Sequence, residues 1–290
     1  MKFGQVDNPA EIDFTIPKDH PDTRKVLAKS KAKDMDIRVG CAKWNKTDLK
    51  NFYPKGTKDE LGYYTTQFNC IELNATFYRP FPPKQYEKWN ETTPADFRFF
   101  PKFGQSISHF RRLKDVDELV EDTVSRFSLL GRKLGMPFLQ MHNNFGPKDF
   151  ERVEAFVNHW KQFKMPLAME FRHTDWYNDP EVSKKLYALL EKNKIANVLV
   201  DTAGRRDLMH MRLTTPTAFV RWVGANVPDS DRERLDEWVD RIAAWKKAGL
   251  QNLYFFVHQN IEKESPLLSA YFIEKLNKKI KSKLTPPKTL

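Results

Sequence analysis

The chain has 290 residues, enough for one large domain or two small ones, and its 40% hydrophobic and 13% aromatic content is ample for a packed core. No apolar run approaches about 18 residues, so a helical membrane span is not expected. The formal charge of +11 would suit nucleic acid or acidic lipid, but solvated surface lysines and the basic stretch 275–288 give the same figure.

Residues 1–36 are polar and broken by Pro9, Pro17 and Pro21, and read as an N-terminal extension. Strand one is expected over 37–44, then a helix over 58–68. Strand two covers 70–78, and Pro83 suits the first turn of the next helix, since its missing N–H would lack an intrahelical partner. Strand three covers 97–103. Val116, Leu119, Val120, Val124, Phe127 and Leu130 then repeat with the 3.6-residue helical period. Strand four covers 137–142, and its helix carries Phe150, Val153, Phe156, Val157, Trp160 and Phe163.

Strand five, 167–173, is followed by a helix over 180–192, and strand six is expected over 196–201. The stretch 205–216 has no helical stripe, so this crossover to strand seven is irregular. Strand seven covers 218–224 and leads to a helix bearing Leu235, Trp238, Val239, Ile242 and Trp245, with Gly249 as its stop. Strand eight covers 252–258, and Ser265 with Pro266 opens a last helix.

Eight strand–helix units in about 250 residues match the (β/α)8 TIM barrel. The rival, an open doubly wound sheet, would carry a glycine-rich phosphate loop after strand one, which Gly40-Cys41-Ala42-Lys43-Trp44 does not supply. The expected organisation is an extension over 1–36, one barrel domain over 37–282 and a basic tail over 283–290. Cys41 and Cys70 are too few for a disulfide framework and form no CxxC, and the first residues hold no signal-type apolar stretch. Both points suit the cytoplasm.

Function is written at the strand ends, where polar groups are costly unless paired or used. Alternation on strand two turns Ile71, Leu73 and Ala75 toward the helices and Glu72, Asn74 and Thr76 inward; on strand five it turns Glu170 and Arg172 inward. The same logic places Lys102, Gln140, Asp201, Arg221 and His258 at the mouth, where active sites of this fold sit. Three carboxylates (Glu72, Glu170, Asp201) face three cations (Lys102, Arg172, Arg221), a balance that suits buried ion pairs or a pocket for an anionic ligand.

In the pocket reading, Glu72 or Glu170 is a general base, His173 or His258 shuttles a proton, and Asp201 completes the catalytic set. Arg172, Arg221 and Lys102 hold the anion, and Asn74 and Gln140 orient it. Trp44, Tyr78, His109, Trp176 and Asn260 would line the site, although aromatic residues such as Trp44, Phe77, Tyr78 and Trp176 are more often packing than substrate-stacking groups. No cofactor is expected. A divalent metal among His109, His142, His173, Glu170 and Asp201 is an alternative, opposed by the adjacent cations and the absence of HExxH.

The stretches Arg38-Val39-Gly40 with Trp44, Phe52-Tyr53-Pro54, Ile71-Glu72-Leu73-Asn74-Ala75-Thr76-Phe77-Tyr78-Arg79, Thr93-Pro94-Ala95-Asp96-Phe97-Arg98-Phe99, Ile107-Ser108-His109 and Glu170-Phe171-Arg172-His173 with Trp176 carry a resemblance. They resemble domain-of-unknown-function family 72, the YecE-like proteins, over about residues 37–280. The resemblance implies a TIM barrel and no established activity. The suggested likeness of its barrel to endonuclease-IV-type barrels makes nucleic acid a candidate ligand by analogy.

The chain departs from the family pattern at three strand ends. Gln140-Met141-His142-Asn143-Asn144 replaces a Gln-Leu-Pro-Pro-like turn, Arg221-Trp222-Val223-Gly224 lacks the usual histidine, and Val257-His258-Gln259-Asn260 replaces Phe-Asp-Asn. The expected function is an enzyme of hydrolase or lyase type acting on a small anionic substrate, such as a phosphorylated sugar or nucleotide. Nucleic-acid binding or processing and a non-catalytic ligand sensor are the alternatives. The sequence does not fix the oligomeric state.

Overall fold

The computed structural model describes residues 4–30 and 34–288. Among these, the strands are β1 (Asp36–Cys41), β2 (Cys70–Leu73), β3 (Arg98–Pro101), β4 (Phe138–Gln140), β5 (Ala168–Glu170), β6 (Ala196–Asn197), β7 (Leu199–Asp201), β8 (Thr217–Gly224) and β9 (Asn252–Gln259). The α-helices are α1 (Pro21–Ala28), α2 (Glu60–Gln67), α3 (Ala75–Tyr78), α4 (Pro83–Thr92), α5 (Asp117–Ser128), α6 (Phe150–Trp160), α7 (Asp175–Asn178), α8 (Pro180–Lys192), α9 (Pro228–Ala248) and α10 (Ser265–Ile280). This is an α/β fold with parallel sheets, and the chain divides into two compact units: one made of the residues up to Ile71 and from Leu199 onward, the other of Glu72–Val198.

In the first unit, β1, β9, β8 and β7 lie side by side in that order, with β1–β9, β9–β8 and β8–β7 all parallel. Leu199, Val220, Trp222, Leu253 and Phe255 share one apolar cluster with Leu235, Trp238 and Phe272 of α9 and α10. By the two-residue period of a strand, Val200, Phe219, Arg221, Phe256 and His258 take the other face. Gly40 is needed where β1 passes Cys70, because a Cβ there would lie 2.3 Å from the Cys70 carbonyl oxygen. Phe52 of the Phe-Tyr-Pro stretch packs against Tyr53, Tyr63 and Tyr64, whose hydroxyl accepts from the Cys41 N–H and donates to the Cys70 carbonyl.

The second unit continues from β2. The Lys102 N–H donates to the Leu73 carbonyl, the Phe103 N–H to that of Phe138, the Met141 N–H to that of Glu170 and the Val198 N–H to that of Met169. Strands β4, β5 and β6 are parallel neighbours, and Gln140 stands directly beside Glu170.

Two expectations change. Expected strand two stops at Leu73: residues 75–78 form the short helix α3, held by Thr76, whose hydroxyl bonds the Leu73 and Lys102 carbonyls. Expected strand six is two short strands broken at Val198, each pairing in a different sheet. The described part of the extension is folded onto the first unit. Ile16 and Leu27 enter its core, and Asp19 accepts from Arg241 and from Trp245 Nε1. The irregular crossover takes the form of a kinked 3-10 segment, Ala203–Leu208. Of the tail, Leu284 is bonded to Asn277 and the Lys288 N–H to Gln67, while residues 289–290, like residues 1–3 and 31–33 of the extension, lie outside the described residues.

Candidate functional site

The strand ends of the second unit bring together six of the expected site residues. Glu72 and Glu170 are fully buried, and Lys102 and Gln140 nearly so. Asn74 Nδ2 donates to Glu72 Oε1 at 2.7 Å, Lys102 Nζ to Gln140 Oε1 at 2.9 Å, and Arg172 Nε to Glu170 Oε1 at 2.5 Å. A buried carboxylate is tolerated only with such partners. The Lys102 ammonium also lies 4.1 Å from the centre of the Phe77 ring, a cation–π contact that fixes its position.

His109 stands over this cluster, on the single π-turn Ser106–Phe110 that follows β3. Its ring meets Phe77 at 4.8 Å and His142 at 5.1 Å, both edge-on, and its Nδ1 shares a hydrogen bond with Ser108 Oγ. Burial, helped by the charges of Lys102, His142 and Arg172, pushes its imidazole down to about 4, against a smaller opposing pull from Glu170. Burial and Arg112 also lower His142. At neutral pH both rings are therefore uncharged, each with one nitrogen free of a proton. His142, read from sequence only as a metal alternative, belongs to the cluster. The signal for it was the departure from a proline turn after strand four.

The remaining candidates in this unit divide. His173 is half-buried beside Gly146, and its Nδ1 accepts from the Asp175 N–H. Trp176 is a correction: it is completely buried, packs on Phe145, Phe150 and Phe171, and spends its N–H on the Phe145 carbonyl at 2.6 Å. It is core. Tyr78 is the opposite, 70% exposed, because α3 turns it away from the strand line.

In the first unit, Asp201 is the second correction. It shares the helix-facing side of β7 with Leu199, and its carboxylate accepts from Arg206, from Arg234 Nη2 at 2.8 Å and from Trp238 Nε1 at 2.7 Å. This is a saturated structural anchor for α9, not a catalytic acid. By strand alternation, Arg221 and His258 take the face away from the helices. Near His258, Glu262 is buried and its carboxyl is held above the usual range by desolvation, with the Ser265 hydroxyl donating to it at 2.6 Å. Trp44 is half-buried and its carbonyl accepts from the Tyr53 hydroxyl, while Asn260 is exposed just past β9. Among the described residues, no three His, Cys, Asp or Glu side chains are grouped to hold a metal ion.

Parallel strands covered by helices, with carboxylate, ammonium, guanidinium and imidazole gathered at the strand ends, define an α/β protein with a polar strand-end site. The chain belongs to the family described as Protein of unknown function DUF72, whose model matches residues 38–290. It is 27% identical to the UPF0759 protein YecE of Escherichia coli K12 over 263 residues, 83% of this chain and 93% of that protein. It is 28% identical to the UPF0759 protein YunF of Bacillus subtilis over 155 residues, 50% of this chain and 53% of that protein. A crystal structure of a DUF72 family protein from Thermotoga maritima superposes with a TM-score of 0.67 at 25% identity, covering 83% of this chain and 99% of that one. One from Enterococcus faecalis gives 0.66 at 16% identity, covering 88% and 99%, which speaks for the fold alone. No helix among the described residues is long and apolar enough to cross a membrane.

Proposed function

We propose that the strand-end cluster of Glu72, Asn74, Lys102, His109, Gln140, Glu170 and Arg172 is the active site of an enzyme of hydrolase or lyase type, acting on a small anionic substrate such as a phosphorylated sugar or nucleotide. One observation carries this reading: the Lys102 ammonium and the Arg172 guanidinium converge beside His109, whose imidazole is kept neutral first by burial and then by these neighbours, whose positive local potential outweighs the pull of Glu170. Such a potential recruits an anion. Arg172 and Lys102 hold it, Asn74 and Gln140 orient it, Glu72 or Glu170 accepts a proton, and the neutral imidazole of His109 hydrogen-bonds the reacting group. The fold around this cluster is read as a (β/α)8 barrel, supported by the eight strand–helix units of the sequence, and a crystal structure showing an unclosed sheet overturns that reading.

The functional test is an NMR titration of His109 with and without inorganic phosphate. A bound anion stabilises the imidazolium, so the His109 midpoint rises from about 4. Arg172→Ala abolishes that rise. An unmoved midpoint in the native protein overturns the reading. Turnover is tested separately with Glu170→Gln: a phosphate effect that survives, with no phosphoester or lyase substrate consumed by the native protein, identifies a ligand sensor instead.

A further inference from the structure

Among the described residues, the two most exposed large hydrophobic side chains are Tyr78 (70%) and Phe110 (71%). Both sit in the second unit, at the ends of the turns that follow β2 and β3. Their chain neighbours Phe77 and His109 are in ring contact at 4.8 Å, and Gln105 Nε2 donates to the Tyr78 carbonyl at 3.1 Å, so the two turns are fastened together. Between them and α5, a cavity of about 90 Å3 is bounded by Phe77, Tyr78, Arg79, Ser106 and Ile107.

These turns are mostly basic, with Asp115 just past the second and Asp122 on the far wall of the cavity. Residues 73–86 contain Arg79 and Lys84 and no Asp or Glu; residues 97–114 contain Arg98, Lys102, Arg111, Arg112 and Lys114 and again no Asp or Glu. Each exposed ring is followed directly by arginine: Tyr78-Arg79 and Phe110-Arg111-Arg112. After Phe110 the backbone enters the left-handed region at Arg112, Leu113 and Asp115, three residues that are not glycine. Such conformations persist only where the surroundings impose them, and they gather at ligand sites. Two aromatic rings left this open beside arginines offer faces on which a planar ligand can stack.

We infer that this surface binds single-stranded nucleic acid, with bases stacked on Tyr78 and Phe110 and phosphodiesters held by Arg79, Arg111, Arg112 and Lys114. Stacking needs a ring with an open face and tolerates any base, while the arginines follow the backbone. A duplex hides its base faces and cannot use such rings. A protein partner matching this charge would have to be acidic and would gain nothing from two isolated rings on separate turns. The inference deepens the anion-binding reading of the adjacent cluster and rests on it for the innermost phosphate.

The test is fluorescence anisotropy on the full chain with oligothymidylate and oligouridylate of about 12 nucleotides, from about 50 to 200 mM salt. Either or both single strands should bind, the comparison deciding between DNA and RNA, and affinity should fall as salt rises. Tyr78→Ala and Phe110→Ala, at exposed positions that leave the fold intact by circular dichroism, should each weaken binding about tenfold. Arg111→Gln should lower the salt slope by roughly 0.7. Absence of binding at low salt, equal affinity for duplex or heparin, or a double aromatic variant within about twofold of native overturns the inference. The two readings fail separately. A phosphate effect on His109 without oligonucleotide binding removes only the polymer. Tyr78-dependent oligonucleotide binding without that effect removes only the small-anion site.

Discussion

Glu170 shows how tightly the strand-end cluster is paired within itself. Its carboxylate is fully buried and shares a 2.5 Å hydrogen bond with Arg172, whose side chain is itself mostly covered. Glu170→Gln removes the negative charge opposite Arg172 and should cost about 3 kcal/mol in urea denaturation, because breaking a buried ion pair is strongly destabilising. The double variant Glu170→Met with Arg172→Leu should recover most of that loss, and no recovery would mean that the pair is not the source.

His109 predicts a pH dependence at the same scale. Its folded midpoint of about 4 lies below the ordinary 6.5, so the unfolded chain binds the extra proton between those values. Its contribution is therefore present above about pH 6.5 and lost as pH falls toward 4. Compared with His109→Gln, the native protein should lose about 1 kcal/mol more over that window, after allowance for solvent screening. Parallel pH profiles of the two proteins would argue against the depressed imidazole.

At the scale of elements, α9 is set by signals at both ends and by an anchor in its middle. Pro228 opens its first turn, Asp229 and Asp231 favour the positive end of the helix, and Gly249 closes it at φ +117°. A Cβ at Gly249 would also lie 2.3 Å from the Leu27 carbonyl of α1. Gly249→Ala should therefore destabilise by about 2 kcal/mol through backbone strain and displace α1, seen as faster amide exchange over residues 21–28. The stripe of α9 and its glycine stop were legible in the sequence. Its anchor was not: Asp201 looked like a strand-end acid because alternation along a strand gives two faces without saying which one meets a helix. Only the approach of Arg234 and Trp238 decides that. Strand two misled similarly, since α3 is stabilised by Thr76 bonding a neighbouring turn, a long-range contact with no local signature.

For the molecule as a whole, the family match begins at residue 38, yet residues before it supply part of the core. Thr23 donates to the Met211 carbonyl and accepts from the Leu213 N–H, and Ile16, Val26 and Leu27 are buried. At roughly 1.5–3 kcal/mol for each fully buried aliphatic side chain, removing residues 1–30 should lower the melting temperature sharply or leave the protein insoluble. A truncated protein that melts like the native one would show that this segment is dispensable.

Composition and periodicity by themselves determined the α/β class, the strand–helix alternation, the irregular stretch before β8 and the clustering of Glu72, Lys102, Gln140, Glu170 and Arg172 at strand ends. These are local or periodic properties, written in residue spacing. The tertiary structure decided that Asp201 and Trp176 are structural, that His142 joins the cluster, and that Tyr78 and Phe110 are exposed on turns tied together by Phe77, His109 and Gln105. Those outcomes depend on which distant groups satisfy a buried carboxylate or cover a ring. Desolvation and partner choice set them, and neither is visible along a single strand.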